Sequence, residues 1–179
     1  YTTGLQSSVD AAIDPDGEFI VVWSSSTSGG TDSDDRSIQA RLFDDDGAAL
    51  GPQFQVNSTT TGPQLAPRVD RRTDGSFVVV WQSINVTDNY GVRARRFGAD
   101  GTPLGSDFTV GTAGYPLAYR PVVGVADAPD AGFVVVWHAY EQSSGTDTSQ
   151  LSVQAQRFDS GGTALDDEFQ VNQSTLGYQ

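Results

Sequence analysis

Three stretches of the chain are apolar at every position: Phe19-Ile20-Val21-Val22-Trp23, Phe77-Val78-Val79-Val80-Trp81 and Phe133-Val134-Val135-Val136-Trp137. A strand with one wet face alternates between apolar and polar residues. A continuous run rich in Val and aromatic residues reads as a strand covered on both faces, and left bare it would invite edge-to-edge aggregation. A glycine stands just before each run, in Asp16-Gly17-Glu18, Asp74-Gly75-Ser76 and Ala131-Gly132, and the tryptophans are 58 and 56 residues apart. A period of that length marks a supersecondary unit copied in tandem, each copy needing neighbours to cover its apolar faces.

The second copy predicts four strands, over residues 66–72, 77–81, 91–97 and 107–110. Asp-Gly between two β-prone runs suits a tight hairpin, because glycine accepts the positive φ such a turn requires. A second turn follows the third strand at Asp46-Gly47, Asp100-Gly101 and Gly161-Gly162. The third strand alternates, with Val92, Ala94 and Arg96 opposite Arg93, Arg95 and Phe97. A small residue recurs within it, at Ala40, Ala94 and Ala155, where an adjacent sheet can approach closely. The fourth strand carries Phe54-x-Val56, Phe108-x-Val110 and Phe169-x-Val171, and no stretch shows a helical period. Four antiparallel strands with a sandwiched second strand predict an all-β propeller-type blade, repeated over residues 1–65, 66–121 and 122–179. Trp23, Trp81 and Trp137 are the expected fillers between blades. The rival all-β architecture with three four-stranded units is the β-trefoil.

Three blades do not close a ring, since closed propellers typically need four to eight. Thr2-Thr3-Gly4-Leu5-Gln6, Thr60-Thr61-Gly62-Pro63-Gln64 and Thr175-Leu176-Gly177-Tyr178-Gln179 share one phase of the repeat. With Tyr1 rather than Met in first place, this reads as a processed or excised segment of a longer array, or as chains that complete each other end to end. Self-association or contact with neighbouring repeats is therefore the expected partnership.

Charge narrows the partners. The 179 residues carry a formal net charge of −13, and all ten basic residues are Arg. Such a surface repels phosphate backbones and anionic membranes, which argues against nucleic acid. No apolar run is long enough to span a bilayer, so membrane insertion is not expected. The absence of Cys removes disulfides, zinc–thiolate sites and thiol nucleophiles together.

No motif requires a cofactor. Calcium is the one ion suggested, because Asp14, Asp16, Asp44, Asp45 and Asp46 bunch carboxylates on tight turns. The bland reading is that Asp caps a hairpin turn by local hydrogen bonding. The loops after the tryptophans vary in length, and each holds a Thr-Asp pair, bringing in Asp32, Asp88 and Asp147. With Tyr90 and Tyr140 as stacking surfaces they are candidate ligand contacts for glycans. Asn57, Asn85 and Asn172 open N-x-Ser/Thr sequons, which matter only in a glycosylating secretory route.

An enzymatic reading finds little footing in the residues. The sialidase Asp-box is not matched, His138 has no counterpart in the other copies, and no pair of carboxylates stands out for glycoside hydrolysis.

Asp74-Gly75-Ser76-Phe77-Val78-Val79-Val80-Trp81, Val153-Gln154-Ala155-Gln156-Arg157-Phe158-Asp159 and Asp167-Glu168-Phe169-Gln170-Val171-Asn172 together resemble a tandem repeat of large secreted bacterial proteins. That repeat is often found beside calcium-binding repeats of the RTX kind. The first copy departs with Arg41-Leu42-Phe43, and the second has Gly111 in place of the closing Asn. The resemblance implies an extracellular or cell-surface location and a structural or adhesive role. The expectation is thus a non-catalytic repeat module assembling end to end, even into a filament. A carbohydrate-binding module is the alternative, and a glycoside hydrolase stands third.

Overall fold

The computed structural model describes residues 4–27, 31–32, 36–85, 89–111, 117–126, 132–140 and 152–173. Each apolar run becomes the second strand of a four-stranded antiparallel sheet. The first sheet holds β1 (Gln6–Ile13), β2 (Phe19–Ser25), β3 (Ser37–Phe43) and β4 (Phe54–Gln55). The second holds β5 (Gln64–Arg71), β6 (Phe77–Asn85), β7 (Asn89–Phe97) and β8 (Phe108–Val110). The third holds β9 (Leu117–Val125), β10 (Phe133–Tyr140), β11 (Ser152–Phe158) and β12 (Phe169–Gln170). Strands pair in chain order, and the register repeats: Val22 faces Ala40, Val80 faces Ala94, and Val136 faces Ala155. Among the described residues no helix is long and apolar enough to cross a membrane.

The first strands β1, β5 and β9 lie side by side, while β4, β8 and β12 lie outermost. The sheets are therefore blades around a common axis. No sheet shares a strand with another, which rules out the trefoil, whose units merge into one barrel.

Two seams hold the blades together, and both use the same parts. Ile20 and Val22 of the first blade pack on Val79 and Trp81 of the second. Val78 and Val80 on the opposite face pack on Val135 and Trp137 of the third. The period-two geometry of a strand explains why the run is apolar throughout, since alternate residues serve opposite seams. Trp81 and Trp137 are fully buried, whereas Trp23 is half-buried because the first blade has no sheet on that face. The indole N–H groups of Trp23 and Trp81 donate to Gln6 and Gln64 on the adjacent first strands, at 2.8 and 2.7 Å.

Rings close the outer part of each seam. Phe77 and Phe97 stack at 5.0 Å, and Phe54 of the preceding blade tilts onto Phe97 at 5.9 Å. Phe133 and Phe158 stack at 4.9 Å, and Phe108 of the preceding blade tilts onto Phe158 at 5.6 Å. Glycine turns lie over the inserted rings. A Cβ at Gly101 would meet Phe54 at 3.2 Å and one at Gly162 would meet Phe108 at 3.3 Å.

Polar groups fasten the seams. Arg71 is fully buried and pairs with Asp14 and Glu18 of the preceding blade, both at 2.9 Å. Arg72 reaches the Gly132 carbonyl of the following blade at 3.1 Å. Asp107 accepts the amides of Ser58 and Thr59 at 2.7 and 2.8 Å, and pairs with Arg93 at 2.7 Å. It thereby ties the linker after the first blade to the second. Burial raises the Asp107 pKa, but the Thr59 amide and Arg93 outweigh it and hold the carboxyl below the ordinary range. Gly111 breaks the repeat because Trp137 leaves no room for a side chain, with a Cβ falling 2.7 Å from the ring.

Trp81→Ala is expected to cost about 3–5 kcal/mol in urea unfolding, and Trp23→Ala about half as much, because its ring is already partly in water. The depressed Asp107 pKa stabilises the fold above the unfolded value of about 3.9, and that contribution is lost as pH falls through the folded value. Asp107→Asn should therefore lower stability at neutral pH and flatten its decline below about pH 5, read by urea midpoints across the pH range.

Candidate functional site

A blade has two ends. The tight Gly17 and Gly75 hairpins mark one. At the other, the loop end, β2 ends and β3 begins, next to the start of the axial strand β1. At that loop end each axial strand breaks register. The shift falls between Ser7 and Asp10 in β1, between Leu65 and Arg68 in β5, and opposite Val136–His138 in β9. At the same point in each blade a residue other than glycine adopts a left-handed backbone: Ser8 at φ 55°, Ala66 at 49° and Arg120 at 53°. A non-glycine residue there costs about 1–2 kcal/mol, so three matched instances are a built feature of the axis. The signal in sequence was Pro67 and Pro121, since proline inside a strand belongs to an edge or a bulge.

Side chains around these bulges supply both signs of charge. Ser8 and Arg120 are exposed. Arg68 is half-buried, and its guanidinium donates to the Pro67 carbonyl at 2.7 Å. Asp10 accepts the Val69 amide at 3.0 Å, reaching from its own axial strand to the next; Asp70 makes the same reach to the Val125 amide at 2.8 Å, but near the hairpin end. His138 sits beside this region, and burial first, then the charge of Arg120, holds its imidazole below the ordinary range. Ser8, Arg68, Arg120 and Asp10 thus place hydroxyl, guanidinium and carboxylate groups, both donors and acceptors, near the strained backbone.

The residues singled out in the sequence fall elsewhere. Asp32 does not face a ligand: it is buried and accepts the Asn57 amide at 2.7 Å, while its own N–H donates to Gln55 at 3.1 Å. This bolts the loop to the outer strand. Asn57 is 2 % exposed, and its amide also donates to the Thr59 carbonyl. It therefore has no room for a glycan in the folded chain, which corrects the sequon reading at that position. Asn172 takes the matching place in the third blade, accepting the Val153 amide at 2.9 Å. Asp88 and Asp147 lie outside the described residues, as do the side chains of Asn85, Tyr90 and Tyr140.

The metal reading does not fit the donors. The Asp14 carboxylate is committed to Arg71 and to the Asp16 amide. Asp44 caps its own turn by accepting the Ala48 amide at 2.7 Å, and Asp45 and Asp46 project outward. Hydrogen bonds from Ser76, Thr102 and Thr163 likewise hold Asp74, Asp100 and Asp159 below the ordinary carboxyl range. These aspartates shape turns. Among the described residues no three acidic or His side chains converge as a metal site.

No family model matches the sequence, and no curated protein matches it. Solved structures do. A family 43 glycoside hydrolase from Xanthomonas citri superposes with a TM-score of 0.56 at 12 % identity, over 96 % of this chain and 56 % of its own. A β-xylosidase/α-arabinofuranosidase from a compost metagenome gives 0.56 at 10 %, over 96 % and 60 %. An endo-arabinase from Bacteroides thetaiotaomicron gives 0.53 at 14 %, over 94 % and 63 %. These neighbours are five-bladed propellers, and this chain spans under two thirds of their length. At such identity the likeness shows the fold. The expectation of a chain outside the enzymes is not upheld, because the solved structures that share this arrangement of blades include glycoside hydrolases.

Asp14→Ala, which leaves the buried Arg71 with the half-exposed Glu18 as its one carboxylate partner, should cost about 2–3 kcal/mol. Added calcium or EDTA should leave the wild-type melting temperature unchanged. A calcium-dependent rise would restore the metal reading.

Proposed function

We propose that the chain supplies the carbohydrate-facing blades of a glycosidase-type propeller, with the sugar held at the loop end of the axis. The observation that carries this reading is the set of three matched bulges at Ser8, Ala66 and Arg120. Strain repeated at one level of one axis is what a preorganised site stores. The likeness to xylan- and arabinan-directed hydrolases supports the choice of ligand class. The strong negative charge favours uncharged glycans over acidic ones. Substrates of that kind are polymers outside the cell, which fits an extracellular or surface location.

Arg120 is the residue best placed to clamp a sugar diol, being exposed, cationic and set on a bulge. Arg120→Gly relieves the left-handed strain while removing the guanidinium. It should raise stability by about 1 kcal/mol and weaken binding of neutral xylo- or arabino-oligosaccharides about tenfold, the loss of one charge-assisted hydrogen bond. Calorimetry on wild type and variant reads both effects, and aryl glycosides report turnover. A wild-type chain that neither binds nor cleaves any neutral glycan would remove the reading.

A further inference from the structure

We propose that a second copy of this chain docks its third blade on the first blade, the Phe169 ring of each copy completing the Phe19–Phe43 stack of the other, so that two three-bladed chains close one ring. The inference does not rest on the carbohydrate reading. It continues a seam that the chain already builds twice.

At both internal seams a stacked phenylalanine pair receives a third ring from the preceding blade's outer strand: Phe54 for Phe77–Phe97, and Phe108 for Phe133–Phe158. The first blade has the same pair, with Phe19 and Phe43 stacked at 4.9 Å. The third blade has the same outer ring, Phe169, and it is 47 % exposed. One face lacks a ring and the other offers one.

Four further matches fall at this pair of faces. Val56 and Val110 are buried in the two internal seams, while Val171 at the same phase is 50 % exposed. Gly101 and Gly162 lie against the inserted rings, while the space at the matching Gly47 is empty to 4 Å. Gly111 covers the indole of Trp137, while beside half-buried Trp23 a groove of about 360 Å³ runs between Gln6, Val21 and Gln53. Arg96 donates across the second seam to the Ser160 carbonyl of the next blade's turn. The matching places are held by Arg157, which within its own blade pairs with Asp166, and by the Asp44-Asp45-Asp46 turn, so the proposed contact would bring a cation to an acidic turn.

Six blades lie within the range of closed propellers, one more than the five of the structural neighbours. The contact is heterologous, and applying it twice about a two-fold axis closes the ring and leaves no apolar face bare.

The test uses the full chain in analytical ultracentrifugation, with circular dichroism confirming the fold of each variant. Wild type is expected at twice the chain mass. Phe169→Glu and Val21→Glu, on opposite partner faces, should each sediment as single folded chains. Mixed together, they should regain a two-chain particle, because one intact seam remains between the unmutated faces. A folded wild type that stays a single chain across the micromolar range would overturn the proposal and assign both faces to further blades of a longer polypeptide. A two-chain particle that survives Phe169→Glu, a mixture that stays single, or wild-type assemblies longer than two would overturn it equally.

Discussion

The structure depends on one requirement: an entirely apolar strand must be covered above and below. Phe19-to-Trp23, Phe77-to-Trp81 and Phe133-to-Trp137 each present two apolar faces, and a single sheet can dry neither. Stacking sheets around an axis answers this with one type of contact used repeatedly. The same residue phases recur in it: Val on Trp near the axis, and Phe on a Phe pair farther out. Stability is therefore cooperative between blades, with little of it belonging to a blade alone.

What the seams cannot supply by apolar contact they supply with matched polar groups. Asp107 holds two linker amides and a guanidinium at once. Gln6 and Gln64 satisfy indole N–H groups that the strand ladder cannot reach. Groups of this kind are costly to bury unpaired, so they fix how one blade sits on the next more sharply than valine packing does.

Much of this was legible in the residues. The apolar runs gave the second strands, the Asp-Gly and Gly-Gly pairs the hairpins, and the alternation of 91–97 the two faces of β7. Four antiparallel strands per unit with a sandwiched second strand pointed to blades, and the separate sheets decided against the trefoil. The site was far less legible. Asp14 and Asp32 looked like ligands because carboxylates on turns have the right chemistry for it; the structure shows them committed to Arg71 and Asn57, partners distant in sequence and invisible to local reading. The axial bulges were missed because strand pattern carries no record of φ, although Pro67 and Pro121 hinted at them. The likeness to glycoside hydrolase structures was illegible for a related reason: at 10–14 % identity a shared fold leaves no common motif to recognise.

Chains built from near-identical units run a hazard while they fold, since any copy can mistake another for its proper neighbour. The Arg71 ion pairs offer a remedy. Asp14 and Glu18 find their arginine only on the second unit; the first and third carry Ile13 and Val125 at the corresponding place. That cluster acts as an address label, penalising a scrambled order with a stranded charge and steering a repetitive polypeptide towards one arrangement.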